Sequence, residues 1–474
     1  MLIGRKREKQ LLLDYYHSGK AELVAVYGRR RVGKTYLIRE TFENQFFFYY
    51  TGTTLTTTLK DQLRRFTSEL VRHGALPEDS KPLMSWSEGF DTLAEFIQAS
   101  NEGERKVIFF DEMPWLDSPR SGFLAAFEYF WNSFASARKD VLFIICGSAA
   151  SWISNNLFKQ RGGLHNRVTG RILLKPFTLL ECEEYLQAKG RNFDRYDLVE
   201  CYMVLGGIPY YLDYIDKNHS LAQNIDRIVF ADDAPLKNEF TELFHSLFGK
   251  SDMYIAVVSA LSQKRRGMLR SELVQAVAHP DGKGMTEVLD NLELSGFIRK
   301  YNAFPNKSRG SMYQLVDNFS LFHFDFLERK RPTSQRYWSE LRSTPTLNSW
   351  RGYAFEMVCL KHIDQIEQGL GISGILTSIS SWRSSKSDPG AQVDLVIERD
   401  DRVINLCEIK FSQSEFEIDK SYAENLRNKL SVFQQETKTR KTVFITMITT
   451  YGIKQGQHSS IVRTTLTMDD LFLQ

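Results

Sequence analysis

Near-continuous apolar runs of strand length recur through the first 150 residues, with helical spacing between them. They are Leu23-Val24-Ala25-Val26-Tyr27, Gln45-Phe46-Phe47-Phe48-Tyr49-Tyr50, Lys106-Val107-Ile108-Phe109-Phe110 and Val141-Leu142-Phe143-Ile144-Ile145-Cys146. Such runs, lacking polar alternation, predict buried strands of a parallel sheet. Residues 2–20, 57–73 and 85–100 predict helices. Pro176-Phe177 marks the exit from this core. Residues 178–248 are helix-rich, broken most sharply at Gly206-Gly207-Ile208-Pro209, and predict a small helical lid. Residues 254–261, 271–277 and 285–294 predict three short helices, followed by a two-stranded ribbon ending near Val316. That order predicts a winged helix-turn-helix. A basic stretch with Arg329-Lys330-Arg331-Pro332, Arg336 and Arg342 predicts a solvated linker. From residue 350 a helix runs through His362, and strands 392–397 and 403–410 flank an Asp400-Asp401 turn. The expected divisions are therefore 1–175, 176–249, 250–320, 321–349 and 350–474.

The chemistry begins at the end of the first run. Gly28-Arg29-Arg30-Arg31-Val32-Gly33-Lys34-Thr35 sits between an apolar strand and a helical segment, the context in which a glycine loop cradles phosphate. Glycines at both ends let the backbone curl so that amides face phosphate oxygens. The helix opening at Gly33 adds free amides and the positive end of its dipole. Lys34 is expected to reach the terminal phosphates of ATP, and the Thr35 hydroxyl to bind Mg²⁺. Ile3-Gly4-Arg5 and the leucines that follow read either as a contact near the nucleotide base or as a packing helix.

The third run ends in Asp111-Glu112. A carboxylate at a strand's carboxyl end downstream of a phosphate loop suits Mg²⁺, which makes Asp111 the metal-side residue. Glu112 beside it is the candidate base for an attacking water. The fourth run ends in Gly147-Ser148, where Ser148 is either a γ-phosphate sensor or part of a strand-ending turn. Arg171, in Gly-Arg before the last strand, is the candidate for stabilising transition-state charge in cis or across subunits; a surface arginine is the alternative. One aromatic-rich strand intervenes in the chain between the loop strand and the Asp-Glu strand, as in the additional-strand class of P-loop ATPases.

In the winged module, Lys307 and Arg309 are candidates for phosphate contacts from the wing. The third helix carries Glu287, Asp290 and Glu293, which does not suit a DNA groove. The terminal domain has its own set. Glu408 and Lys410, two apart on a strand, share a face. Asp394 on the hairpin partner can join them, and Glu356 can approach from the helix. Carboxylates with a lysine can hold Mg²⁺ and position a water for phosphodiester attack, with Asp394 and Glu408 as the metal ligands. A surface hairpin with ordinary charges is the other reading.

Composition changes little. Hydrophobic residues make up 42% and charged residues 25% of the 474-residue chain, as in ordinary globular proteins. The net charge of +3 does not by itself argue for nucleic acid. No apolar run approaches the roughly 20 residues of a membrane span, and the amino terminus lacks a secretory core. A cytoplasmic protein with no membrane partner is expected. Five scattered cysteines without a close pair read as reduced core thiols.

Taken together, GRRRVGKT at 28–35, FFDE at 109–112, GGIPYYL at 206–212, the winged module and the terminal GYAFE, VDLVI and EIK segments resemble archaeal and prokaryotic-type AAA+ ATPases. Those ATPases carry a C-terminal domain of unknown function that looks like the PD-(D/E)XK nucleases. The resemblance implies an α/β fold: a P-loop NTPase parallel sheet with a helical lid, a winged helix-turn-helix, and a C-terminal restriction-endonuclease-like domain. It implies nucleotide contacts at 28–35, Mg²⁺ near Asp111, water activation by Glu112, and a nuclease-like constellation of Glu356, Asp394, Glu408 and Lys410. Val393 stands where that superfamily often has proline. ATP and Mg²⁺ are the expected cofactors. DNA, and a protein partner or self-association, are the expected contacts.

Overall fold

The computed structural model describes residues 2–53, 57–101, 103–159, 164, 166–305, 310–330, 332–342, 344–384 and 390–474. The chain forms two compact units, Met1–Pro176 and Phe177–Gln474. The boundary falls where the apolar pattern changes.

The first unit holds β1 (Glu22–Tyr27), β2 (Phe48–Thr51), β3 (Lys106–Asp111), β4 (Val141–Gly147) and β5 (Gly170–Leu173). They form one parallel sheet in the order β2-β3-β4-β1-β5. The strand separating β1 from β3 in space is β4, not the aromatic-rich β2, which goes to the edge. Burial explains the choice: β4 is buried at every position, whereas β2 is short and leaves Thr51 exposed. Helices Leu59–Arg72 and Trp86–Ala99 start at Thr58 and Ser85, whose side chains accept from the amides of Asp61 and Glu88. They cover one face of the sheet with Phe66, Trp86 and Phe90, packed on Phe110 and Phe143. The Phe90 and Phe110 rings stack at 6.0 Å. Burying each such ring contributes about 1.5–3 kcal/mol, which fixes β3 and so the position of Asp111 at its end.

The second unit contains every segment after Pro176, and the expected lid belongs to it. Helix Arg195–Leu205 carries Glu200, which receives a bidentate pair from Arg351 on helix Pro345–Lys361 at 2.9 and 3.0 Å. Both side chains are buried. The stretch 321–349 is not a solvated linker. Phe322, Phe326, Trp338 and Trp350 form one aromatic cluster, with Trp338 and Trp350 edge to face at 5.5 Å. Basic residues such as Arg336 and Arg342 stay outside while the apolar residues between them turn inward; the charge run masked a core segment. Arg331 lies outside the described residues.

Between these parts lie helices Asp252–Gln263, Arg270–Ala276 and Lys283–Leu294 with β6 (Met268–Leu269), β7 (Ile298–Tyr301) and β8 (Met312–Leu315). The three strands form an antiparallel sheet in the order β6-β8-β7. The ribbon thus has a third, two-residue strand that is too short to leave a periodic signal. Helix Lys283–Leu294 buries Met285, Val288, Leu289 and Leu292 and exposes Thr286, Glu287, Asp290 and Glu293. Its outer face is acidic. Lys307 and Arg309 lie outside the described residues.

The last sheet runs β13-β12-β11-β10-β9, from β9 (Thr377–Arg383), β10 (Gln392–Arg399), β11 (Val403–Lys410), β12 (Thr442–Thr449) and β13 (Thr464–Leu466). β9, β10 and β11 pair antiparallel; β11, β12 and β13 pair parallel. The turn at Asp400-Asp401 joins β10 to β11 as expected. All five cysteines are free and buried. Among the described residues, no helix is long and apolar enough to cross a membrane.

Candidate functional sites

The first site lies at the carboxyl ends of β1, β3 and β4, three neighbouring strands, where open parallel sheets bind ligands. The loop after β1 is held tightly. Gly28 has φ of 144°, and a Cβ there would stand 2.3 Å from the Leu174 carbonyl oxygen, so no other residue fits. Gly33 (φ 88°) caps helix Lys34–Thr41 in a conformation that favours glycine. Arg31, at φ 72°, is left-handed without that freedom, a strain of the kind that clusters at ligand sites. Arg5 reaches this loop and donates to the Val32 carbonyl at 3.2 Å.

Lys34 is buried, and its ammonium donates to the carbonyls of Gly28 and Arg29 at 3.1 and 3.0 Å. The Thr35 hydroxyl donates to both oxygens of Asp111 at 3.1 and 2.9 Å. A hydroxyl and a carboxylate meeting at one point are a donor set that suits a hard cation such as Mg²⁺. Burial, and then the adjacent Glu112, push the Asp111 carboxyl above its ordinary range, against hydrogen bonds from Thr35 and Cys146. Cys146, on the neighbouring strand, was not singled out in the sequence; an apolar run gives its thiol no distinguishing signal.

Glu112 adopts a left-handed backbone, φ 48° and ψ 40°. Its Oε2 accepts from the Ser148 amide at 3.1 Å, the Ser148 hydroxyl at 3.0 Å and the Trp115 indole at 3.1 Å. Ser148 therefore meets the candidate base rather than standing as a separate feature of the strand end. Trp115 carries no sequence signal because it follows the motif by three residues, in the short 3-10 helix Met113–Leu116. Arg171 is not brought to the site. It pairs level with Ala25 on β1, roughly 10 Å of strand short of Gly28, and its exposed side chain lies over the Phe158 ring at 4.2 Å. Strand pairing sets it back from the carboxyl end.

The second site lies on the β10–β11 hairpin. Leu395 pairs with Cys407, so the next positions outward put Asp394 opposite Glu408, as expected. The β9–β10 register shifts between Val393 and Val396. Such bulges re-aim side chains beside sites. Directly opposed like charges repel, and the surroundings answer this. Lys429 donates to Glu408 Oε1, the Tyr422 hydroxyl donates to Oε2 at 3.3 Å, and Gln392 donates to Asp394. Lys410 lies over the Tyr422 ring at 5.5 Å. Both oxygens of Glu408 are engaged, and among the described residues no three His, Cys, Asp or Glu side chains are grouped to hold a metal. Lys429 comes from helix Lys420–Thr437, 21 residues along the chain, and no motif announced it.

Glu356 does approach from helix Pro345–Lys361. Burial, then Asp394, push its carboxyl up to about 8, with Lys410 pulling the other way. A carboxyl raised in the folded state stabilises fully below its ordinary value near 4.5, and that contribution is lost as pH rises through 8. The metal-free chain is therefore expected to lose roughly 2 kcal/mol between about pH 6 and about pH 9 that the Glu356→Gln variant does not lose. Denaturant unfolding of both proteins at the two pH values checks this, and parallel pH dependences would refute it.

Residues 2–215 match a family described as an ATPase domain predominantly from Archaea. An uncharacterized protein of Methanocaldococcus jannaschii is 24% identical over 423 residues, covering 87% of this chain and 88% of the relative. An uncharacterized ATP-binding protein of the same organism is 47% identical over 45 residues, 10% of this chain and 76% of that protein. Among solved structures, the Walker-type ATPase of Pyrococcus abyssi aligns with a TM-score of 0.46 at 18% identity, covering 68% of this chain and 95% of that one. The ORC2 protein of Aeropyrum pernix aligns at 0.41 and 13% identity, covering 76% and 96%.

Proposed function

We propose that this protein hydrolyses ATP in its first unit and uses the cycle to control a DNA-directed, nuclease-like C-terminal domain. The observation that carries the ATPase reading is the convergence of Lys34, Thr35, Asp111 and Glu112 at the end of one parallel sheet. In this reading the loop 28–35 binds the phosphates, with Lys34 on the terminal ones. Thr35 and Asp111 hold Mg²⁺, which when bound neutralises phosphate charge. Glu112 orients and deprotonates the attacking water, and Ser148 and Trp115 fix its carboxylate. Arg171 contributes only across a subunit boundary.

For the C-terminal domain, the meeting of Asp394, Glu408, Lys410 and Glu356 supports a phosphodiester-directed site. A second reading keeps the ATPase and has the winged-helix and nuclease-like modules bind DNA or protein without cleavage. The Lys429 and Tyr422 hold on Glu408, and the acidic outer face of helix Lys283–Leu294, favour it. Incubating plasmid and linear DNA with Mg²⁺ or Mn²⁺, with and without ATP, separates the two. The first reading expects cleavage that Lys410→Ala abolishes and Lys34→Ala alters. ATP turnover without cleavage under any condition selects the second.

A further inference from the structure

Two cavities share Asp394, Gln392 and Arg266 in their lining. One, about 640 Å³, is walled by the three-stranded sheet through Arg299 and Tyr301 and by the terminal domain through Tyr353 and Glu356. The other, about 490 Å³, lies toward Asn425, Asn428 and Lys429. Arg266, which is exposed, lines both. The two walls are joined. Tyr301 is followed by Ala303, which bridges Ser381 of β9, and the Phe304 amide donates to the Ser381 carbonyl at 2.8 Å. Phe304 then packs with Trp382 and Phe433 in the terminal domain's core. The sheet beside the hairpin is thus anchored as a side of the groove.

Arg299 is the most enclosed of the cations that line this cavity, which also include Lys264, Arg265, Arg266 and Arg383. Its Nε donates to Gln314 at 2.7 Å, Gln314 donates in turn to the Arg265 carbonyl at 2.8 Å, and the guanidinium lies over Tyr301 at 4.5 Å. Burial lowers its pKa, partly offset by Tyr301, Tyr353 and Asp394. Among the described residues, no carboxylate stands within ion-pair distance of it. A positioned, half-buried cation with no carboxylate at ion-pair distance among the described residues, beside aromatic rings on a cavity wall, suits an anionic ligand. The cavities are of ligand-pocket size, too small for a duplex to enter whole. Aromatic rings and arginine together suit a single strand.

We propose that Arg299 binds a backbone phosphate of one nucleic-acid strand threaded across Asp394. This rests on the nucleic-acid-directed reading of the C-terminal domain given above. The test uses the full chain in EDTA with labelled oligothymidylate of about ten nucleotides and, separately, a duplex of equal length. The strand is expected to bind tighter than the duplex. Arg299→Gln is expected to weaken strand binding about tenfold and to flatten the log–log salt slope by about 0.7, while Arg299→Lys keeps the slope. Arg266→Gln, at an exposed position, tests the same groove if Arg299→Gln does not fold. ATP turnover, read on every variant, is expected to stay at the wild-type rate.

Unchanged affinity and slope in these variants, tighter duplex binding, or no strand binding by the wild type would overturn the inference. Arg299-dependent strand binding without cleavage removes the nuclease reading and keeps this one. Lys410-dependent cleavage untouched by Arg299→Gln does the reverse.

Discussion

The Glu112→Gln variant is expected to hydrolyse ATP about 10²–10⁴-fold more slowly than wild type while binding it within a few-fold of wild-type affinity. The substitution keeps volume and hydrogen-bonding reach but removes the ability to take a proton. Ser148 and Trp115 direct three donors at one carboxylate oxygen, and the glutamine carbonyl can accept them in its place. In the proposed reading, binding rests on the loop and Lys34, which the change does not touch. Steady-state hydrolysis and equilibrium titration with ATP check the split. A variant retaining more than a tenth of the wild-type rate would mean that Glu112 is not the base.

Arg351→Ala is expected to destabilise the second unit by about 3–5 kcal/mol, because it leaves the buried Glu200 carboxylate without its partner. The companion change restores the balance: Arg351→Met with Glu200→Leu is expected to recover most of the loss, since apolar replacement of a whole buried pair is often neutral. Denaturant unfolding of wild type, single and double variants reads both numbers. A single variant within about 1 kcal/mol of wild type would show that solvent reaches Glu200 and that the pair does not join the two helices.

Much of the first unit was legible in the sequence because its signals are local. A strand, a glycine loop and a helix in immediate succession, from Glu22 to Thr41, leave few alternatives, and the β3 and β4 runs end in their polar residues without interruption. What the sequence could not convey was lateral order. Nothing in the composition of Phe48–Thr51 says that it lies at an edge; its shortness and exposed end decide that only against the fully buried Val141–Gly147. Arg171 misled for the same reason: its distance from the loop is set by register with Ala25, a pairing made across more than a hundred residues.

In the second unit the hairpin was readable from its period and its acidic turn, and Asp394 and Glu408 fell opposite each other. The residues that hold them were not readable. Lys429 and Tyr422 arrive from a later helix, and Arg299 from an earlier sheet, as ordinary residues of amphipathic elements. The stretch 321–349 reads as a linker by its charge, but its aromatic residues Phe322, Phe326 and Trp338 are core.

Phosphate release from ATP by the purified full chain with and without Mg²⁺, run beside Lys34→Ala, tests the proposed ATPase most directly. Magnesium-dependent turnover that Lys34→Ala reduces to background is the predicted result. Turnover that survives Lys34→Ala, or none with ATP and Mg²⁺ both saturating, would contradict it.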